Sequence, residues 1–242
     1  MARRPALATP PQPPWPAAVT AQRVALIPIE RVAISVVIPT LNEAARIQES
    51  LECLRWADQV IVVDGGSSDR TVPIAKRCGA EVLIVRGRTI AEQRNAGISR
   101  ARNHWVLALD ADELVTPELR ASLHRLTRAG VAWPSAYRIR SRNWHLGREL
   151  RHGPWGHDWK VRVFSREQRF AIRRVHENLE VLDDVGTLDG ALLHHPYRDV
   201  SHHVSKVATY ARWAAGPGFV VSAVSAFSVF LKYACLAMPI DH

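Results

Sequence analysis

Short apolar runs alternate with amphipathic segments along the first half of the chain. Four runs predict buried parallel strands because they are rich in apolar, largely β-branched residues and end at turn-forming or acidic positions: 32–38, 60–63, 81–85 and 105–109. Helices are predicted at about 42–56 and 89–102, each with a Thr and a Glu at capping-box spacing, and at 117–128. Repeated βα units predict an α/β fold, with a mostly parallel central sheet flanked by helices.

The pattern changes in the second half. Residues 137–142 and 160–164 predict two further strands, separated by a stretch rich in tryptophan and glycine. A last helix is predicted at about 200–215, followed by an apolar run without charge at 219–231. That run is shorter than the roughly 20 residues that a membrane-spanning helix needs. An interfacial helix and a helix packed on the domain's own core both remain open.

Composition sets the domain plan. A chain of 242 residues, 47% of them hydrophobic, can bury one sizeable core. We predict a proline-rich disordered leader at 1–31, one folded domain at 32–215 and an apolar tail at 216–242. The leader has no apolar signal-peptide region, and three widely spaced cysteines predict buried free thiols, so we expect a cytoplasmic protein.

The chain is strongly basic. A formal net charge of +9 and a pI near 10.2 favour polyanionic partners such as nucleic acid, an anionic membrane or phosphorylated glycans and nucleotides. Solubility alone explains such a charge equally well. Because the sequence contains no recognisable nucleic-acid-binding module, nucleic acid is not predicted as a partner.

Acidic residues follow two of the predicted strands. Asp110 and Asp112 come after the fourth, and in an extended chain their spacing would point both carboxylates to the same side. Two such oxygen ligands suit Mg²⁺ or Mn²⁺, ions that also bind diphosphate oxygens. Helix capping would explain a lone Asp-x-Asp as well. However, Asp64 ends a second strand, and open α/β sheets bind ligands at the carboxyl ends of their strands.

Three ordered blocks of sequence resemble glycosyltransferase family 2: Ser35 to Glu43, Val62 to Thr71 and Leu109 to Glu113. The resemblance covers about residues 32–210 and implies a GT-A fold. Within the family, the blocks at 175–177 and 193–197 are most similar to lipopolysaccharide core glucosyltransferases that act on heptose. The resemblance implies an inverting, Mg²⁺- or Mn²⁺-dependent hexosyltransferase. Its donor would be a nucleotide diphosphate sugar, most commonly of glucose, and its acceptor a glycan or lipid-linked glycan at the inner face of the cytoplasmic membrane.

The resemblance also assigns roles by position. The nucleotide sugar would be bound by residues from three loops and the third helix: Pro39, Thr40, Glu43, Asp64, Ser67, Asp69, Arg94, Asn95 and Asp110. Asp112 would be the main metal ligand, with Asp110 beside it. Glu177 would take the proton of the acceptor hydroxyl, with Asp158 as the reserve candidate.

Aromatic residues and arginines of the second half would bind the acceptor, because aromatic rings cover sugar faces and arginines clamp anions. The predicted acceptor set is Trp144, Arg151, Trp155, Trp159 and His176. The solvent face of a strand explains the alternating arginines at 138, 140 and 142 equally well. The histidines at 194, 195, 202 and 203 match no structural zinc spacing, so packing or acceptor contact is predicted for them.

Two other classes of protein are alternatives to an active transferase. A non-catalytic protein that binds a nucleotide sugar or a polyanion could keep the same fold, although the presence of Asp110, Asp112 and Glu177 favours the enzyme. A dinucleotide-dependent oxidoreductase is not predicted, because no Gly-x-Gly-x-x-Gly follows the first strand.

Overall fold

The computed structural model describes residues 30–129, 134–145, 148–152, 156–172, 179, 181 and 184–195. Within these residues the chain forms nine strands: β1 (Val32–Thr40), β2 (Ala57–Asp64), β3 (Glu81–Ile84), β4 (Trp105–Ala108), β5 (Glu113–Val115), β6 (Ala136–His145), β7 (Arg148–Glu149), β8 (Asp158–Ser165) and β9 (Val185–His194). The helices of this part are α1 (Ile47–Glu52), α2 (Thr71–Arg77), α3 (Ile90–Ile98) and α4 (Pro117–Arg128). The segments predicted as a leader, a last helix and an apolar tail lie outside the described residues, except for Glu30 and Arg31.

The strands form one sheet in the order β3-β2-β1-β4-β8-β6-β9-β5, with β7 paired to β6. Its first half is parallel: β1 pairs with β2 and β4, and β2 pairs with β3. The second half is mixed, since β8 is antiparallel to β4 and β6 whereas β9 is parallel to β6. The carboxyl ends of β1, β2 and β4 therefore meet at one edge of the sheet.

Helices cover both faces of the sheet. Buried residues of α1, α2 and α4 pack with the sheet in one apolar cluster, and α3 packs in a second cluster on the other face. In α3, Gly97 allows close contact, because a β-carbon at this position would overlap the side chains of Val37 and Val63. Close packing of α3 against β1 and β2 fixes where its polar side chains reach the carboxyl edge.

The predicted first helix is wrong over much of its length. It was expected at about 42–56, but α1 covers only Ile47–Glu52 and has no side-chain cap. The capping box expected between Thr40 and Glu43 does not form, because Thr40 is the last residue of β1 and its hydroxyl donates to Asp64. Residues 41–46 instead form a loop over the carboxyl edge of the sheet.

Other predictions of local structure are confirmed. Thr89 and Glu92 form the expected capping box at the start of α3, and α4 has the predicted bounds. The pattern did not reveal β5, β7 or β9, which are short or interrupted by glycine. The prediction of buried thiols is wrong for Cys78, which is exposed, and Cys53 is half-buried. Among the residues described, no helix is long and apolar enough to cross a lipid bilayer.

Candidate active site

Asp64 organises the loop that follows β2. It is fully buried, and its Oδ1 accepts hydrogen bonds from the backbone N–H groups of Gly66 (2.9 Å) and Ser67 (2.7 Å). Its Oδ2 accepts from the hydroxyls of Thr40 (3.1 Å) and Ser67 (2.5 Å). Gly66 has a φ of +104°, a left-handed conformation that favours glycine. One carboxylate thus joins the end of β1 to the loop after β2.

A second set of hydrogen bonds joins the loops at 41–46 and 65–70. The Asn42 N–H donates to Ser67 Oγ (2.8 Å), and the Ser68 N–H donates to Asn42 Oδ1 (2.9 Å). Nearby, Asp69 accepts from the backbone N–H of Ala44 (3.1 Å). Hydrogen bonds therefore join the two loops, and Thr40, Asp64, Ser67 and Asp69 lie together where they meet.

Asp110 lies between two buried arginines. Its Oδ1 accepts from Arg94 of α3 and its Oδ2 from Arg162 of β8, both at 2.6 Å. Burial alone would raise the pKa of Asp110, but the charges of Arg162 and Arg94 hold it well below its usual range. Asn95, expected near the ribose and diphosphate, uses its amide to bind both backbone groups of Phe170 at 2.9 Å.

The extended conformation assumed for Asp110 to Asp112 is wrong. Residues 111 and 112 form a turn between β4 and β5, because Glu113 Oε2 accepts from the Asp110 N–H (3.0 Å) and draws the chain round. The two aspartates consequently have different partners. Asp112 Oδ2 lies 3.5 Å from Arg46 Nη1, and its Oδ1 lies 3.6 Å from His194 Nε2.

His194 presents a ring nitrogen to Asp112. Its Nδ1 lies 2.7 Å from Asn143 Oδ1, which can only accept, so Nδ1 donates to Asn143 and Nε2 faces the Asp112 carboxylate. The Asn143 amide is itself oriented by Asp158, which accepts from its Nδ2 at 3.3 Å. Burial lowers the pKa of His194, although the carboxylates of Asp112 and Glu113 oppose this shift.

His195 closes the same corner. Its backbone N–H donates to the Asp112 carbonyl (3.0 Å), and its own carbonyl accepts from Arg46 (2.6 Å). The imidazole stacks on Trp144, with ring centroids 5.7 Å apart. Burial, followed by the neighbouring His194 and Arg46, lowers the pKa of His195 to about 4.

Three of the predicted acceptor residues are described. Trp144 lies against His195, while Trp159 is 45% exposed, with the Arg138 guanidinium 5.3 Å from the centre of its ring. Arg151 is exposed and pairs with Glu149 at 3.3 Å. The other two acceptor residues and the predicted base lie outside the described residues: Trp155, His176 and Glu177.

Sequence reasoning missed several residues of this site. Arg46, Lys160, Arg162 and His194 all contact its acidic groups. No local pattern marks the first three. The paired histidines at 194 and 195 were a visible signal, but their contact with Asp112 depends on the pairing of β5 with β9.

Within the described residues, no group of three His, Cys, Asp or Glu side chains is arranged to hold a metal. Asp112 and His194 nevertheless fit a divalent cation as a pair. They offer an oxygen and a nitrogen lone pair 3.6 Å apart, and phosphate oxygens of a nucleotide could complete the coordination. The fit is poorer for Asp110, because both of its oxygens already bind guanidinium groups.

Comparison with known proteins gives a family match. The model of the family Glycosyl transferase family 2 matches residues 35–187. An uncharacterized glycosyltransferase of Rickettsia bellii is 41% identical over 88 residues, which cover 36% of this chain and 30% of that protein. An uncharacterized glycosyltransferase of Mycobacterium tuberculosis is 30% identical over 151 residues, covering 56% of this chain and 68% of that protein. The chain thus spans about a third of the length of the first of these relatives.

Solved structures of glycosyltransferases are similar at low sequence identity. TarS 1–349 of Staphylococcus aureus in complex with UDP-GlcNAc has a TM-score of 0.49 at 15% identity, over 83% of this chain and 71% of that chain. Glucosyl-3-phosphoglycerate synthase of M. tuberculosis in complex with Mn²⁺, UDP and phosphoglyceric acid has a TM-score of 0.48 at 20% identity, over 75% and 76%.

Proposed function

Because the chain belongs to glycosyl transferase family 2 and has the GT-A fold, we propose that it is a metal-dependent inverting hexosyltransferase. It transfers a sugar from a nucleotide diphosphate donor to a glycan or lipid-linked acceptor. One observation carries this proposal: the loops organised by Asp64 and the acidic turn at 110–113 converge where three adjacent parallel strands end. Open α/β sheets bind their ligands at this edge.

The donor binds across the two joined loops. Pro39, Thr40 and Asp64 border the nucleoside, while Ser67 and Asp69 keep the loops in place for it. In addition to these five residues, Glu43 and Asn95 belong to the proposed donor site, Asn95 through the support that it gives to Phe170. Because hydrogen bonds fix the loops before the donor arrives, little ordering remains to be done on binding.

The diphosphate faces Arg94 and the acidic turn. Arg94, held beside Asp110, supplies positive charge where negative charge grows on the departing diphosphate. Asp112 and His194 would hold Mg²⁺ or Mn²⁺, and the bound ion would stabilise the same charge. Asp110 borders the ribose and the metal and fixes the guanidinium groups around them.

The acceptor binds on the side of β6 and β8. Trp144, Trp159 and Arg151 contribute to this surface. Trp155 and His176 are proposed as acceptor contacts from the sequence alone. Glu177 takes the proton of the attacking hydroxyl in a single displacement that inverts the anomeric carbon.

Asp158 is the reserve candidate for the base. Its Oδ2 accepts from Asn143 Nδ2 at 3.3 Å and lies 3.7 Å from Lys160 Nζ, so the carboxylate already has two partners.

The proposed donor is UDP-glucose and the proposed acceptor is the lipopolysaccharide core. The blocks at 175–177 and 193–197 support this choice, and a chain with a net charge of +9 suits an anionic, phosphate-bearing acceptor at the inner face of the cytoplasmic membrane. The proposed plan places the transferase domain at 32–215, between a proline-rich leader and an apolar tail at 216–242 that lies on the membrane or packs on the domain.

The test is release of the nucleoside diphosphate from a panel of nucleotide sugars, with lipopolysaccharide core acceptors and with Mn²⁺, Mg²⁺ or EDTA. We expect acceptor-dependent turnover that Glu177→Gln lowers about 10³-fold while donor affinity stays within about twofold. Glu167→Gln, a change of an exposed carboxylate, is the matched control and should keep wild-type turnover. Donor binding without turnover on any acceptor would favour the alternative, a non-catalytic protein that binds nucleotide sugars.

A further inference from the structure

Arg162 reaches the acidic turn because β8 carries an extra residue. Tyr137 pairs with Val163 and Arg138 with Val161, so Arg162 has no partner position on β6 and forms a β-bulge. Bulges re-aim side chains and are common beside active sites. The Arg162 side chain is buried, and its Nη2 lies 2.6 Å from Asp110 Oδ2 and 3.1 Å from Glu113 Oε1.

The chain's own cations neutralise the carboxylates around Arg162. Asp110 binds Arg94 through one oxygen and Arg162 through the other. Glu113 is fully buried, and its Oε1 pairs with both Arg162 Nη2 (3.1 Å) and Lys160 Nζ (3.2 Å). A metal ion on Asp110 would therefore lie next to two guanidinium groups, and repulsion between such close positive charges would weaken its binding.

Asp112 has a different environment. Its Oδ1 faces Nε2 of the His194 ring at 3.6 Å, and Arg46 Nη1 lies 3.5 Å from its Oδ2. The two aspartates of the turn are therefore not equivalent toward a cation.

We propose that Arg162 is a positioning residue that keeps Asp110 from binding the metal, so that the divalent ion binds tightly only together with the nucleotide diphosphate. The inference rests on the proposed function. Asp112 offers a weak site for the ion alone. The diphosphate brings oxygen ligands and negative charge, which offset the guanidinium groups of Arg94 and Arg162. Metal and donor then bind with positive coupling.

The experiment is titration of the purified protein with Mn²⁺, followed by electron paramagnetic resonance of the free ion, with and without UDP. Arg162→Gln removes one positive charge and frees an oxygen of Asp110. We expect it to bind Mn²⁺ alone at least about tenfold more tightly than the wild type, a range typical of changes around metal ligands. UDP should then increase the Mn²⁺ affinity of Arg162→Gln by a smaller factor than it increases that of the wild type. Arg162→Lys keeps the charge and should stay close to the wild type.

Two further variants make the result specific. The double variant Arg162→Gln/Asp110→Asn should lose the gain, because the oxygen that Arg162→Gln frees no longer belongs to a carboxylate. Arg102→Gln removes an exposed arginine that pairs with Asp58 at the other edge of the sheet and is the matched control. Thermal melting of each variant measures its folding separately.

The outcomes separate this inference from the proposed function. A wild-type protein that binds no Mn²⁺ even with UDP would contradict both. If the wild type binds Mn²⁺ with UDP, two results would overturn the inference alone: Arg162→Gln does not bind Mn²⁺ alone more tightly than the wild type, or the double variant Arg162→Gln/Asp110→Asn keeps the tighter binding. Arg162→Met also removes the charge and takes the place of Arg162→Gln if that variant does not fold.

Discussion

The two sides of the candidate site are held by different forces. On the side of β1 and β2, hydroxyls and backbone N–H groups converge on Asp64 and Asp69, and no cation contacts the Asp64 carboxylate among the described residues. On the side of β8 and β9, lysine, arginine and histidine side chains contact the acidic turn. The first side is a preformed cradle whose shape depends on hydrogen bonds. The second side is held by ion pairs, so its affinity for a cation depends on whether a negatively charged group is bound beside it.

The largest expected effect is on the hydrogen-bonded side. Asp64→Ala would leave two backbone N–H groups without their acceptor and separate the loops at 41–46 and 65–70. We expect a loss of about 4 kcal/mol in the free energy of unfolding, since each hydrogen bond to a buried charge contributes about 1.5–3 kcal/mol and the four are not additive. Urea denaturation measures this loss.

The matched control is Asp189→Ala, which removes an exposed aspartate from β9 and should change the free energy of unfolding by less than about 0.5 kcal/mol. A cost below about 1 kcal/mol for Asp64→Ala would show that the two loops hold their shape without this carboxylate.

The next effect is a pH dependence on the charged side. The pKa of His195 is about 4 in the folded protein, below the 6.5 of a free histidine. As the pH falls below 6.5, the unfolded chain takes up a proton that the folded protein does not, so stability is lost. Between pH 7 and pH 5 the free energy of unfolding should fall by about 2 kcal/mol from this group.

The comparison of His195→Phe with the wild type isolates this effect, because phenylalanine keeps the stacking on Trp144 and does not titrate. Between pH 7 and pH 5, the free energy of unfolding of His195→Phe should fall by about 2 kcal/mol less than that of the wild type, as measured by urea denaturation. Equal losses in both proteins would mean that His195 does not take part.

The smallest expected effect concerns the exposed ring of Trp159. Its replacement by alanine should raise the KM for the acceptor about tenfold, equivalent to about 1.4 kcal/mol, because a stacking face is lost. The donor affinity and the melting temperature should hardly change, since the ring is nearly half exposed. Trp159→Phe keeps an aromatic ring, so its KM for the acceptor should lie between those of the wild type and Trp159→Ala. A change in donor affinity would place Trp159 on the other side of the site.

The two sides also differ in how well the sequence predicts them. Asp64, Ser67 and Asp69 belong to one contiguous block, and the family resemblance that this block carries assigns all three to one loop of the donor site. The sequence does not predict the loop before α1. Thr40 and Glu43 have the spacing of a capping box and indicate a helix there, but the Thr40 hydroxyl donates to Asp64 instead. In this case a long-range hydrogen bond to a buried carboxylate prevailed over a local preference.

The charged side depends on contacts between residues far apart in the chain. Arg162 meets Asp110 through a bulge in the pairing of β8 with β6, and His194 meets Asp112 because β9 pairs with β5. Neither the bulge nor the pairing leaves a periodic signal in the sequence. The roles of Glu177, His176 and Trp155 stay predictions.

The most direct test of the central claim is calorimetric titration of UDP into the protein with Mn²⁺ and with EDTA, for the wild type and Asp112→Asn, with Asp189→Asn as the exposed control. We predict that EDTA weakens UDP binding to the wild type and the control at least about tenfold, and that Asp112→Asn shows the weak binding under both conditions. Equal UDP affinity with Mn²⁺ and with EDTA in the wild type, unchanged by Asp112→Asn, would contradict a metal-dependent donor site at the acidic turn.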